Sequence, residues 1–331
     1  MRHPFNIARV NRSGETRKEV LLVRIEHESQ IGWGEAAPIR YYHQSLDSAE
    51  AALARAAGLL GDSPFRVEEI HERLWKEMPD QSAAIAAVDG ALHDLIGKLL
   101  RVPVWRMLGL SAEKAPLTSF TIGIDDMDTV ARKVREAQEY PILKIKVGTP
   151  DDEALLRTVR AAAPEKVLRV DANCGWTPEN ALERMRMVAS FHVEFIEQPI
   201  PAGNLEAVAG LRSARVAPLF ADEDSVTEAD VVRCAGRYDG INIKLSKCGG
   251  IRPALRMIHV ARALGLKIML GCMVETSVGI AAAAQLAPLV DYVDLDGHLL
   301  LADDPFEGIG GARGILTLND NPGLGIRERA D

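Results

Sequence analysis

Eight short apolar runs alternate with helix-like stretches between residues 116 and 297, and this alternation limits the fold more than any other feature. The runs are PLTSFTIGI (116–124), ILKIKVG (142–148), VLRVDAN (167–173), VEFIEQP (193–199), PLFADE (218–223), GINIKLS (240–246), KIMLGC (267–272) and YVDLDG (292–297). The segments between them carry helix-start signals: Asp151-Asp152-Glu153 before ALLRTVRAAA, Thr177-Pro178-Glu179 before NALERMRMVA, and Thr227 before EADVVRCAG. Acidic or hydroxyl caps satisfy the orphan N–H groups of a first helical turn, and proline there avoids one. Eight strand–helix units at intervals of about 20 to 27 residues match the count of a (β/α) barrel. A doubly wound sheet would place a glycine-rich phosphate turn after its first strand. Thr121-Ile122-Gly123 leads to no such turn, and GIGGARG (308–314) lacks the spacing and precedes no helix.

The first third of the chain reads differently. EVLLVRIEHE (19–28) alternates as a strand does, Gln30 to Glu35 turns into a second, and helical patterns follow at 48–60, 65–78 and 82–100. The expected organisation is an α+β unit over 1–112, a (β/α) barrel over 113–300, and a tail over 301–331 packing back on the first unit. The 39 basic and 47 acidic side chains give a net charge of −8, which argues against nucleic-acid or anionic-membrane partners. Four cysteines without a C-x-x-C pair argue against a zinc ribbon or disulfide scaffold and for a reducing compartment. No run of 18 apolar residues exists and the first residues lack an apolar signal core, so a cytoplasmic location is expected.

Lysine and aspartate are poor strand residues, so their presence in these runs needs a reason. Lys144 and Lys146 lie two apart and share one strand face. Asp171, Glu197 and Asp222 end three successive runs, 26 and 25 residues apart. Any one of them could cap the following helix. Three in register converge at the C-terminal mouth of a barrel, where their repulsion calls for a divalent cation. Oxygen ligands with no His or Cys in register favour Mg²⁺ over Zn²⁺. Lys244 ends the sixth run, 22 residues past Asp222, so Lys146 and Lys244 flank the three carboxylates from opposite sides. Two amine bases facing a metal-bound carboxylate can remove and return a proton α to a carbonyl, with Lys144 placed to lower the pKa of Lys146.

K-x-K at Lys144 and Lys146, D-x-N at Asp171 and Asn173, E-Q-P at Glu197–Pro199, A-D-E at Ala221–Glu223 and N-I-K-x-x-K-x-G-G at Asn242–Gly250 together resemble the enolase superfamily. The paired lysines resemble its muconate lactonizing enzyme subgroup. The resemblance covers nearly the whole chain and implies a modified TIM barrel under a cap. Asp294 and Asp296 in VDLDGH, with LGCMVETS (270–277), resemble the dipeptide epimerases, in which such an acid pair receives the substrate's α-ammonium. The resemblance implies Mg²⁺-dependent inversion of a dipeptide's C-terminal α-carbon, with L-Ala-D/L-Glu as the expected substrate. Lys146 and Lys244 are then the bases, and Asp171, Glu197 and Asp222 the metal ligands, supported by Asn173 and Glu223. Arg12, in a segment resembling a mobile cap loop, would meet the glutamate side chain, and Tyr41, Tyr42 and His43 resemble the second cap loop. Asp89, His93 and Asp94 read as structural. An N-acylamino acid racemase, a cycloisomerase and a non-catalytic ligand-binding barrel are the alternatives, and assembly as a homo-oligomer is left open.

Overall fold

The computed structural model describes residues 1–8 and 16–330. All eight apolar runs form parallel strands: β3 (Phe120–Ile122), β4 (Ile142–Lys146), β5 (Val167–Asp171), β6 (Val193–Glu197), β7 (Leu219–Ala221), β8 (Gly240–Ile243), β9 (Lys267–Gly271) and β10 (Tyr292–Asp294). Each pairs with the next in sequence. The ring closes between its ends, where Thr118 bridges Val293 and the Ser119 N–H donates to the Val293 carbonyl at 3.2 Å. Helices α5 (Met127–Glu136), α6 (Asp152–Ala162), α7 (Ala181–Ala189), α8 (Leu205–Ser213), α9 (Glu228–Cys234), α10 (Leu245–Cys248), α11 (Ile251–Ala263) and α12 (Ser277–Ala284) form the crossovers. Thr227 starts α9 as its sequence suggests, with Asp230 accepting from the Thr227 N–H in a capping box. Where a crossover helix would follow β10 there is a 3-10 turn, Gly297–Leu300, and the Arg2 N–H donates to the Leu300 carbonyl there.

The two ends of the barrel differ in chemistry. Its floor is aromatic: Phe195 stacks on Phe220 at 4.3 Å, Tyr292 meets both edge-on, and the Arg169 guanidinium lies over Phe195 and Tyr292. Register then carries Lys146 beside Asp171 and Asp171 beside Glu197, so the charged residues occupy one layer at the opposite end.

The cap begins with a hairpin, β1 (Leu21–His27) and β2 (Gln30–Ala36), joined through Glu28 and Ser29, both in the left-handed region. A two-residue turn of that kind matches the twist of paired strands. Helices α1 (Leu46–Ala56), α2 (Val67–Glu77) and α3 (Ser82–Leu100) complete it, with a short α4 (Val104–Met107) leading toward the barrel. Alanine-rich α3 lies directly on β2, and glycine makes that approach possible. A Cβ on Gly34 would stand 1.9 Å from the Ala87 carbonyl oxygen, and one on Gly32 2.1 Å from that of Ala91. Asp94 on α3 accepts from Trp33 N–H, Leu324 N–H and the Lys98 ammonium, joining the sheet, the helix and the chain's last segment. That segment pairs β11 (Phe306–Glu307) with β12 (Arg327–Glu328), and Phe306 meets Trp33 edge-on.

The cap also touches the barrel mouth. Asp89 accepts from the Ile251 N–H at 2.6 Å, and the Ser82 hydroxyl donates to the Ser246 carbonyl at 2.8 Å, both close after Lys244. Asp89 and Asp94 therefore hold cap, barrel and tail together.

Candidate active site

Asp171, Glu197 and Asp222 are buried, and one oxygen from each lies within 4.8 Å of the others. No other set of three such side chains among the described residues could hold a metal ion. Cations press on the triad from several strands. Lys146 Nζ is 2.7 Å from Asp171 Oδ2, and Lys244 Nζ is 2.8 Å from Asp222 Oδ2 on the far side. Lys144 Nζ reaches Glu197 Oε2 at 2.7 Å, Asp171 Oδ2 at 3.1 Å and Asp294 Oδ2 at 2.6 Å.

Burial alone would raise each acid, and its neighbours decide the outcome. For Asp171 burial is outweighed by the Lys146 and Lys144 ammoniums, which hold its carboxyl far below the usual range. Asp222 is likewise held well down against burial by Lys244 and Lys247. Glu197 goes the other way, since burial and the adjacent Asp171 raise it. Lys144 is raised far above an ordinary lysine because Asp294, Glu197 and Asp171 overcome its burial. Lys244 is raised too, with Asp222 overcoming burial, while the Lys144 charge acts to lower it. Lys144 thus sits among the carboxylates, and its lowering influence falls on Lys244 across the site.

Asn173 and Glu223 are buried beside the triad. The Asn173 N–H donates to Asp171 Oδ1 at 2.8 Å and its amide to Oδ2 at 3.2 Å. Asn173 and Cys174 are both left-handed, as is Gln198 after Glu197, so the chain bends sharply past two of the acidic strand ends.

Asp294 and Asp296 both lie in the buried interior, with different partners. Asp294 accepts from Ser119 at 2.6 Å and Lys144 at 2.6 Å. Asp296 accepts from the Thr121 N–H at 2.6 Å, and burial together with Asp294 pushes its carboxyl up to about 7. Tyr41 of the cap brings its hydroxyl to 4.0 Å from Cys174 Sγ, beside Asn173. Arg12 lies outside the described residues.

Three supporting side chains escaped the sequence reading. Lys247 is fully buried, and its ammonium donates to Asp222 Oδ1 and O, both at 2.6 Å, and to the Asn242 carbonyl at 2.9 Å. Asn242 donates to Glu197 Oε1 at 2.7 Å. Gln198 Oε1 accepts from the Asp222 N–H at 3.0 Å. The N-I-K-x-x-K and E-Q-P motifs contained all three; only their roles were hidden.

The description "Mandelate racemase / muconate lactonizing enzyme, N-terminal domain" matches residues 1–109, and "Enolase C-terminal domain-like" matches 126–331. The chain belongs to the mandelate racemase / muconate lactonizing enzyme family of the enolase superfamily. It is 40% identical over 327 residues to an L-Ala-D/L-Glu epimerase of Bacteroides thetaiotaomicron, covering 98% of this chain and 85% of that one. It is 41% identical over 336 residues to an L-Ala-D/L-amino acid epimerase of Pedosphaera parvula, covering 99% and 96%. A dipeptide epimerase from Cytophaga hutchinsonii, solved with Mg and D-Ala-L-Val, superposes with a TM-score of 0.94 at 29% identity, covering 100% of this chain and 93% of that one. Cap and barrel thus carry the family's architecture, and the relatives are isomerases acting on dipeptides. No helix among the described residues is long and apolar enough to cross a membrane.

Proposed function

We propose that this protein is a Mg²⁺-dependent dipeptide epimerase that inverts the α-carbon of the C-terminal residue, with L-Ala-D/L-Glu as its substrate. The observation that carries the reading is the placement of Lys146 and Lys244 on opposite flanks of one buried carboxylate triad. We assign the cap to 1–112, the catalytic barrel to 113–300 and the tail to 301–331.

The triad fits a divalent cation. Its ligands are hard oxygens, all buried, and Glu197 Oε2 receives no aligned hydrogen bond although the Lys144 ammonium stands 2.7 Å away. Asp171, Glu197 and Asp222 would hold Mg²⁺, with Asn173, Asn242 and Lys247 hydrogen-bonded to them and Glu223 buried next to Asp222. When bound, Mg²⁺ supplies positive charge opposite the substrate carboxylate, where electrons gather as the α-proton leaves.

Lys146, as a neutral amine, takes the α-proton of one epimer, and the electron pair of the broken C–H bond moves into the adjoining carboxylate. Lys244, as an ammonium, returns a proton to the other face, and the roles reverse for the other epimer. The carboxylates that raise Lys244 would lose much of that influence once a divalent charge offsets them. Lys144 supports the same negative charge from the barrel axis. Asp294 and Asp296 receive the dipeptide's ammonium, with Asp296 the member not already paired to a lysine. Arg12 pairs with the glutamate side chain.

The test is α-proton exchange in D₂O with Mg²⁺, followed by NMR over a panel of dipeptides and their N-acyl counterparts. Dipeptides with free amino termini should exchange and epimerise. K146A and K244A should each silence exchange from one epimer while sparing the other. Turnover of N-acyl amino acids with no exchange from any dipeptide would overturn the reading.

A further inference from the structure

Asp152 marks a helix start in the sequence, yet its carboxylate serves the loops around it. It is 0% exposed, and accepts from the Gly148 N–H at 2.9 Å, the Thr149 N–H at 2.8 Å, the Thr149 hydroxyl at 3.1 Å and the Trp176 indole N–H at 2.9 Å. All four donors are neutral. Gly148 and Thr149 follow Lys146 by two and three residues, and Trp176 follows Asn173 by three.

The two loops touch where Asp152 ties them. A Cβ on Gly148, whose φ is 107°, would stand 2.7 Å from the Ala172 carbonyl oxygen, 2.8 Å from Ala8 Cβ and 3.1 Å from Gly175 Cα. A Cβ on Gly175 would stand 2.7 Å from Gly148 Cα and 2.9 Å from Ala8 Cβ. The β4–α6 and β5–α7 turns therefore meet backbone to backbone, with the Ala8 side chain packed against both. None of the four donors lies on the strands that carry Glu197, Asp222 or Lys244, so Asp152 acts on one side of the site.

We propose that Asp152 is a positioning residue for Lys146, holding the end of β4 so that this amine meets the α-carbon; this rests on the two-base reading above. Removing the acceptor leaves the Gly148 and Thr149 N–H groups unsatisfied, and the turn re-packs to find water or another partner. A shift of an ångström at a reacting group costs up to about 100-fold in rate. Lys244, anchored to Asp222 through a different strand, keeps its place.

The experiment uses the full chain with Mg²⁺ and each epimer of L-Ala-Glu separately, reading initial α-proton exchange in D₂O by NMR. K146A identifies the epimer that Lys146 serves. D152N, which keeps the shape but replaces one acceptor oxygen with a donor, should slow exchange of that epimer by about 10- to 100-fold. The other epimer should keep its rate, and the Mg²⁺ concentration dependence should not move. W176F removes a single donor and should give the same asymmetry in weaker form; it decides the question if D152N does not fold. Equal losses for both epimers, or a fall in Mg²⁺ affinity that accounts for the loss, would overturn the inference. A selective K146A beside an unselective D152N overturns the inference alone, whereas an unselective K146A overturns the two-base reading and the inference with it.

Discussion

The junction between the cap and the seventh barrel unit holds two buried acids whose titration should be visible in the stability of the whole protein. Glu35, near the end of β2, accepts from the Thr276 N–H at 2.9 Å, the Thr276 hydroxyl and the Gly279 N–H at 3.0 Å, so an acid from the cap completes the start of α12. Glu275 is buried immediately before Thr276, with one bond from the Met273 N–H at 3.2 Å. Burial, then the charge of Glu35, pushes Glu275 up to about 8, while the Met273 N–H, Lys244 and Lys18 act in the other direction. Glu35 is itself raised, chiefly by burial.

In the unfolded chain Glu275 loses its proton near pH 4.5, whereas in the folded protein it keeps it until about pH 8. Between those values the native state binds the extra proton, so the contribution is fully present below pH 4.5 and is lost as pH rises through 8. Each pH unit inside the window is worth at most about 1.4 kcal/mol of unfolding free energy, a 10-fold change in the equilibrium constant. Glu275→Gln removes this term and keeps the shape. Urea unfolding of both proteins at half-unit steps from pH 5 to 9 should show the wild type losing stability relative to the variant as pH rises, with the difference levelling above pH 8. A constant offset across the range would refute the assignment of a protonated Glu275.

Other expectations concern separate parts of the molecule. Gly34→Ala places a Cβ 1.9 Å from the Ala87 carbonyl and should lower unfolding free energy by about 3 kcal/mol in urea titration. Mg²⁺ at about 100 times its Kd should add about 3 kcal/mol to the stability of the wild type, visible as a raised melting temperature, and Asp222→Asn should abolish most of that gain. Asp296 should release a proton when a dipeptide ammonium binds at pH 6, because the cation favours its charged form. Calorimetry in two buffers of different ionisation heat should detect that proton for a free dipeptide and not for its N-acetyl form, and the release should fade above pH 8.

The barrel was legible because its signals are local. Strand periodicity and helix starts recur in each unit, and the charged residues that break the apolar pattern are the ones that converge. Lys144, Asp171, Glu197 and Lys244 stand out in sequence because burying them without partners would be costly. Their partners stood out less. Lys247 sits in the α10 turn, where a lysine is unremarkable, and only the fold shows its ammonium shared between Asp222 and Asn242. Asp152 reads as an ordinary helix start, and nothing in its own segment signals Trp176, 24 residues on. Glu275 is raised by the charge of Glu35, 240 residues away in the chain, across a cap-to-barrel contact. The sequence therefore shows which residues are expensive to bury, and the structure shows what makes burying them tolerable. For the D-x-D pair this distinction changes the chemistry. Two acids that look equivalent in VDLDGH divide into one paired with the Lys144 ammonium and one that accepts from the Thr121 N–H, and in the proposed reaction that asymmetry makes Asp296 the freer of the two to take up the substrate's ammonium.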